Sequence, residues 1–159
     1  MAEETGRTGR GMITAAIGVQ RFRLPRTFMD SNVLVYAEDA AYPVKQERAI
    51  ALILEHGQQR SAVVSLQVLG EYFSAVTRKL HLDPAIARSQ VEFYSRFQVV
   101  EPTVADVLGA IDLHRFHGIS YWDSLILRCA KQSGCSVLLS EDMQYGQVID
   151  GVRIVNPFL

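Results

Sequence analysis

Two five-residue runs, residues 61–65 (SAVVS) and 136–140 (SVLLS), constrain the fold of this chain most strongly. Neither alternates apolar with polar residues. Their interiors are continuously apolar, as expected of strands covered on both faces in a parallel sheet. The segments between and around them have helical patterns. Pro43 at a first helical position, apolar Ala49, Ile50, Ile53 and Leu54, and Gly57 as a stop predict a helix over 43–56. A second helix, 66–79, follows SAVVS. Asp83-Pro84 reads as an N-cap with proline behind it, opening a helix to about 96. Thr103 with Asp106 three residues on is a capping-box variant opening a helix to His117, with Gly118 as its stop. Ser120 opens one more, 121–133, before Gly134. Short strands are expected at 27–29, 97–100 and 152–155. Strands alternating with helices of this length imply βαβ crossovers and an α/β fold with a central, mainly parallel sheet.

The chain has 159 residues, 48% hydrophobic and 21% charged, with a net charge of −1. That is one globular domain's worth, with no overall attraction to nucleic acid. Charge is unevenly placed: residues 1–26 hold five arginines against two glutamates. Residues 1–24 are read as a disordered basic arm, or an extension upstream of Met12, and residues 25–159 as the folded domain. Cys129 and Cys135 fit neither a zinc spacing nor a CxxC motif, and two cysteines make no disulfide scaffold. A cytoplasmic location is expected. No apolar run approaches a membrane span.

In an open parallel sheet, ligands bind beyond the carboxyl ends of the strands, and four acids fall there. Asp30 follows the first strand, Glu71 lies in the second turn of the helix after SAVVS, Asp123 in the first turn of the helix opened by Ser120, and Asp142 two residues after SVLLS. Each has a plainer reading. Asp30 and Asn32 are common turn residues, Asp123 suits a capping box, and spacing does not decide between Glu141 and Asp142. Glu71 has no basic residue three or four positions away on its helix. Carboxylates about 5 Å apart repel by roughly 3 kcal/mol per pair at an effective dielectric near 20. Bringing them together therefore calls for protons or a hard divalent cation, Mg2+ or Mn2+.

The runs FMDSNVLVYA (28–37), LQVLGEYF (66–73), GISYWDSLIL (118–127) and LLSEDMQYG (138–146) resemble, in order, the successive blocks of PIN-domain nucleases, and most closely the VapC toxins of bacterial type II toxin–antitoxin pairs. The resemblance spans residues 27–158. It implies a three-layer α/β/α sandwich and a homodimer. It also implies a Mg2+- or Mn2+-dependent endoribonuclease in which metal-activated water hydrolyses RNA, with a cognate antitoxin whose tail fills the cleft. It assigns the metal-binding and catalytic acids to Asp30, Glu71, Asp123 and Asp142, with Asn32 and Ser140 supporting them. The alternative is a PIN fold that binds RNA or protein without cutting. A receiver domain would need a lysine after SVLLS, and a haloacid-dehalogenase-like phosphatase an aspartate where Asn32 stands.

Other residues have simpler expectations. His114 and His117 lack the zinc-protease pattern and read as surface or packing residues. Cys129 is expected in the core. Tyr121 and Trp122 are expected to pack their helix against the sheet, with base stacking as the alternative. Tyr72, Phe73, Phe93, Tyr94 and Phe97 are expected in the core or a dimer interface.

Overall fold

The computed structural model describes residues 23–159, so the reading of residues 1–22 as an arm lies outside the described residues. Six strands and six helices follow the order β1 (Thr27–Met29), α1 (Ser31–Tyr36), α2 (Pro43–Gln58), β2 (Ala62–Ser65), α3 (Leu66–Arg78), α4 (Pro84–Tyr94), β3 (Gln98–Val100), α5 (Val104–His117), α6 (Tyr121–Gln132), β4 (Val137–Leu139), β5 (Val148–Ile149) and β6 (Val152–Val155). The sheet order is β3-β2-β1-β4-β6-β5. All pairings are parallel except β5 with β6. Phe28 sits opposite Val63 on one side and Leu138 on the other.

The central strands β1 and β2 are apolar because both faces of the sheet are covered there. Successive strand residues point to opposite faces, yet Thr27, Phe28 and Met29 are all buried, as are all four residues of β2. The core joins these to Val68, Leu69, Tyr72 and Val76 of α3 and to Ile126, Leu127, Cys129 and Ala130 of α6. The result is the α/β fold expected, with helices flanking a mainly parallel sheet.

Most helix ends follow local chemistry. Asp83 Oδ1 accepts from the amide of Ala85 at 2.8 Å. The Thr103–Asp106 capping box is present in both directions. Gly118 ends α5 in the left-handed region at φ 67°, and Ser120 Oγ caps α6 by accepting from the amide of Asp123. Three features depart from expectation. A helix, α1, directly follows β1, with Asp30 as its N-cap. Gly57 does not stop α2, which runs on to Gln58. A Cβ at Gly57 would lie 3.3 Å from the ring of Phe97, so the glycine makes room for packing, and Arg60 (φ 54°) turns the chain instead. Lastly, Asp150 and Gly151, both at positive φ, form a two-residue turn that pairs β5 with β6.

Gly118 caps α5 at positive φ, with open space where a β-carbon would stand. Gly118→Ala should therefore cost about 1 kcal/mol from left-handed backbone strain alone. A urea titration should show a lower midpoint with an unchanged slope.

Candidate active site

The sheet order reverses direction beside β1: the chain moves outward through β2 and β3 on one side and through β4 and β6 on the other. Such a switch point leaves a crevice beyond the strand ends, and Asp30 stands at its centre. Asp30 is 4% exposed. Its Oδ1 accepts from the amide of Ser31 at 2.7 Å, the bond that caps α1. Its Oδ2 accepts from Ser140 Oγ at 2.7 Å and Asn32 Nδ2 at 3.2 Å.

Glu71 and Asp142 are tied to Asp30 through shared donors. Ser31 Oγ donates to Glu71 Oε2 at 2.9 Å, and Gln67 Nε2 holds Glu71 Oε1 at 2.7 Å. Asn32 Nδ2 also donates to Asp142 Oδ2 at 3.1 Å, while the amide of Asp142 donates to Ser140 Oγ at 3.2 Å. Asp123, in the first turn of α6, and Asp142 line one pocket of about 240 Å³ with His117, Ser120 and Gln144. Glu141 is turned to other partners: Lys45 Nζ and Tyr36 OH, the latter at 2.6 Å. Of the two adjacent acids, Asp142 is the one in the pocket.

The electrostatics are unfavourable to an all-ionised cluster. Burial raises the Asp30 carboxyl; the hydrogen bonds from Ser140 and the Ser31 amide pull it down, and the charges of Glu71 and Asp123 push it up again, to about 6. Asp123 is also raised, first by burial, against the Ser120 hydrogen bond and with the charges of Asp142 and Glu71. Among the described residues, none of the four acids forms an ion pair with lysine or arginine.

An oxygen-only donor set with uncompensated charge suits a hard cation. Among the described residues, however, no three His, Cys, Asp or Glu side chains stand close enough together to hold one. Ser31 and Asn32 are interposed between the acids instead. That arrangement fits Mg2+, which takes one or two carboxylates and keeps waters, better than an ion needing a full protein cage.

Three residues had no place in the sequence reading. Ser31, which bridges Asp30 and Glu71, could have been flagged only by its position after Asp30. Gln67 lies one helical turn before Glu71, a spacing at which side chains meet. Lys45 carries no local signal at all. Trp122 contradicts its expectation: it is 61% exposed, edge-to-face with Tyr121 at 5.0 Å, and does not pack α6 against the sheet. The aromatics of α3 and α4 divide, with Tyr72 and Tyr94 buried and Phe73 and Phe93 partly exposed.

Comparison with known proteins agrees with this fold. The PIN domain family matches residues 27–149. No curated protein sequence matches the chain. Among solved structures, a toxin–antitoxin complex from Klebsiella pneumoniae is similar with a TM-score of 0.63 at 16% identity, over 82% of this chain and 97% of that one. DNA-bound VapBC from Salmonella typhimurium gives 0.58 at 19% identity, over 82% and 97%. A sarcin–ricin-loop-cleaving VapC toxin of Mycobacterium tuberculosis gives 0.56 at 17%, over 73% and 91%.

The burial of Asp30 has a measurable consequence. A carboxyl raised from 3.8 to about 6 binds its proton more readily in the folded state. The fold is thus stabilised as pH falls through that window, and above it the ionised group costs up to roughly 3 kcal/mol. Asp30→Asn should raise the melting temperature of metal-free protein at pH 7.5, and the gain should shrink towards pH 4. The difference between wild type and variant isolates this effect. Buried His56, whose pKa is lowered by burial, destabilises the fold on acidification in both proteins alike.

Proposed function

Because the chain belongs to the PIN domain family, we propose that it is a metal-dependent endoribonuclease, the toxin of a type II toxin–antitoxin pair. The observation that carries this reading is the gathering of Asp30, Glu71, Asp123 and Asp142 around one switch-point crevice without a basic partner among the described residues. Its support from outside the chain is that the similar solved structures include toxin–antitoxin complexes.

In this reading Asp30, Asp123, Glu71 and Asp142 surround the place of a Mg2+ or Mn2+ ion, one or two of the carboxylates would touch it, and the others would act through its waters. When bound, such an ion supplies a water of lowered pKa and a counter-charge for phosphate. The chain's own residues do the rest. Asp30 accepts from Ser31, Asn32 and Ser140, so its carboxylate is oriented before anything binds. Ser140 and Asn32 hold Asp30 and Asp142 in a constant relation through bonds to both. Asp123 and Asp142, less buried, face the open pocket where a phosphodiester would approach. No side-chain nucleophile is required.

The partners in this reading are an RNA substrate, a cognate antitoxin and a second copy of the chain, in the cytoplasm. No helix among the described residues is long and apolar enough to cross a membrane. Exposed Val104, Leu108 and Ile111, one helical face of α5 at spacings of four and three, and the apolar groove of Leu66, Leu69, Phe73 and Val91 are surfaces available to such protein partners.

Purified protein should cleave RNA with Mg2+ or Mn2+ and lose that activity with chelator. Asp30→Asn, Glu71→Gln, Asp123→Asn and Asp142→Asn should each lower the rate by about a hundredfold or more, the scale of losing a charge that stabilises the transition state. Gel analysis of a labelled RNA reads the outcome. Wild-type protein that binds RNA but leaves it intact would favour a binding module instead. Growth arrest on expression, relieved by a co-expressed neighbouring gene product, tests the toxin role.

A further inference from the structure

Glu141 and Asp142 are adjacent acids on one loop, yet they have opposite fates, and the difference lies on the far side of that loop. Lys45, in the first turn of α2, pairs with Glu141 Oε1 and donates to Tyr36 OH at 3.0 Å. Tyr36 in turn donates to Glu141 Oε2 at 2.6 Å. The ammonium is caged by aromatic faces, with ring centres of Tyr36 at 4.6 Å and of Tyr42 and Phe158 each at 5.6 Å. Phe158 packs edge-on against Tyr36 at 4.8 Å, and Arg48 Nε donates to the carbonyl of Pro157 at 3.3 Å, which fixes the tail that completes the cage.

This assembly connects to the acidic pocket through backbone. The Glu141 amide donates to Asn32 Oδ1 at 3.3 Å, and the same side chain's Nδ2 reaches Asp30 and Asp142. A single ion pair that is still partly open to water adds little to global stability. Three coupled contacts on one glutamate, each from a different partner, act instead on where the loop sits.

We propose that Lys45, with Tyr36 and the Phe158 cage, is a positioning residue: it captures Glu141 and thereby sets the loop after β4 so that Asp142 alone enters the pocket. The part of this that concerns metal rests on the nuclease reading; the part that concerns the loop does not.

Lys45→Met keeps the apolar stem in its cage and removes the charge. In the full chain without metal, amide hydrogen exchange at Glu141 and Asp142 should quicken by about fivefold or more through local opening, with the thermal midpoint nearly unchanged. Mn2+ affinity, measured by titration calorimetry on the metal alone, should fall by about tenfold, as when groups supporting metal ligands are removed. Lys45→Arg should restore both. Unchanged exchange at these two amides would overturn the proposal whether or not the protein binds Mn2+. Faster exchange with unchanged Mn2+ affinity would overturn the link to the pocket. Wild-type protein that takes up no Mn2+, in the same way as Asp30→Asn, would count against the nuclease reading itself and remove the metal half of the proposal with it.

Discussion

Placing a carboxylate where β1 ends, sealed from water on nearly all sides, is the constraint around which the rest of the molecule is arranged. Desolvation acts against the ionised form of Asp30, and neighbouring acids add to the penalty. The fold answers with its shortest contacts from a helix-capping amide, a serine hydroxyl at the neighbouring strand end and an asparagine amide. Each of those donors has a second duty. The amide starts α1, Ser140 also receives the Asp142 amide, and Asn32 also holds Asp142. Satisfying one difficult group thus fixes the segments on both sides of it.

The placement of the sheet makes this economical. Since β1 pairs with both β2 and β4 in parallel, the carboxyl ends of all three strands open towards the same edge. The residues just past those ends are brought together without long loops. A serine caps the helix that follows β2 and another the helix that carries Asp123, so neither helix needs further machinery to present its acid.

Much of this was legible from the sequence because it is local. Continuous apolar runs announced β2 and β4, and Thr103, Asp106, Gly118 and Ser120 marked helix ends by their own hydrogen-bonding and backbone preferences. The four acids were legible as positions relative to strand ends. Other features were not local. Helix α1 is six residues long, too short for a periodic pattern, and rests on a cap, Asp30, that the sequence offers as a metal ligand or a turn residue but not as a helix start. The Asp150-Gly151 pair is a recognised hairpin signal, but β5 has only two residues and gave no strand pattern to attach it to. Gly57 read as a stop because its packing partner, Phe97, is forty positions away. Trp122 read as core because apolar character was taken for burial. The choice between Glu141 and Asp142 depended on Lys45, nearly a hundred residues earlier, which no spacing argument could reach.

The bond from Ser140 to Asp30 spans 110 positions, and β4 pairs directly with β1 at the sheet's centre. Contacts of such sequence separation form only after a long loop has been closed. A growing chain on the ribosome therefore carries Asp30, Glu71 and even Asp123 in the absence of the strand that gathers them. The crevice is thus complete only once β4 has emerged and paired with β1.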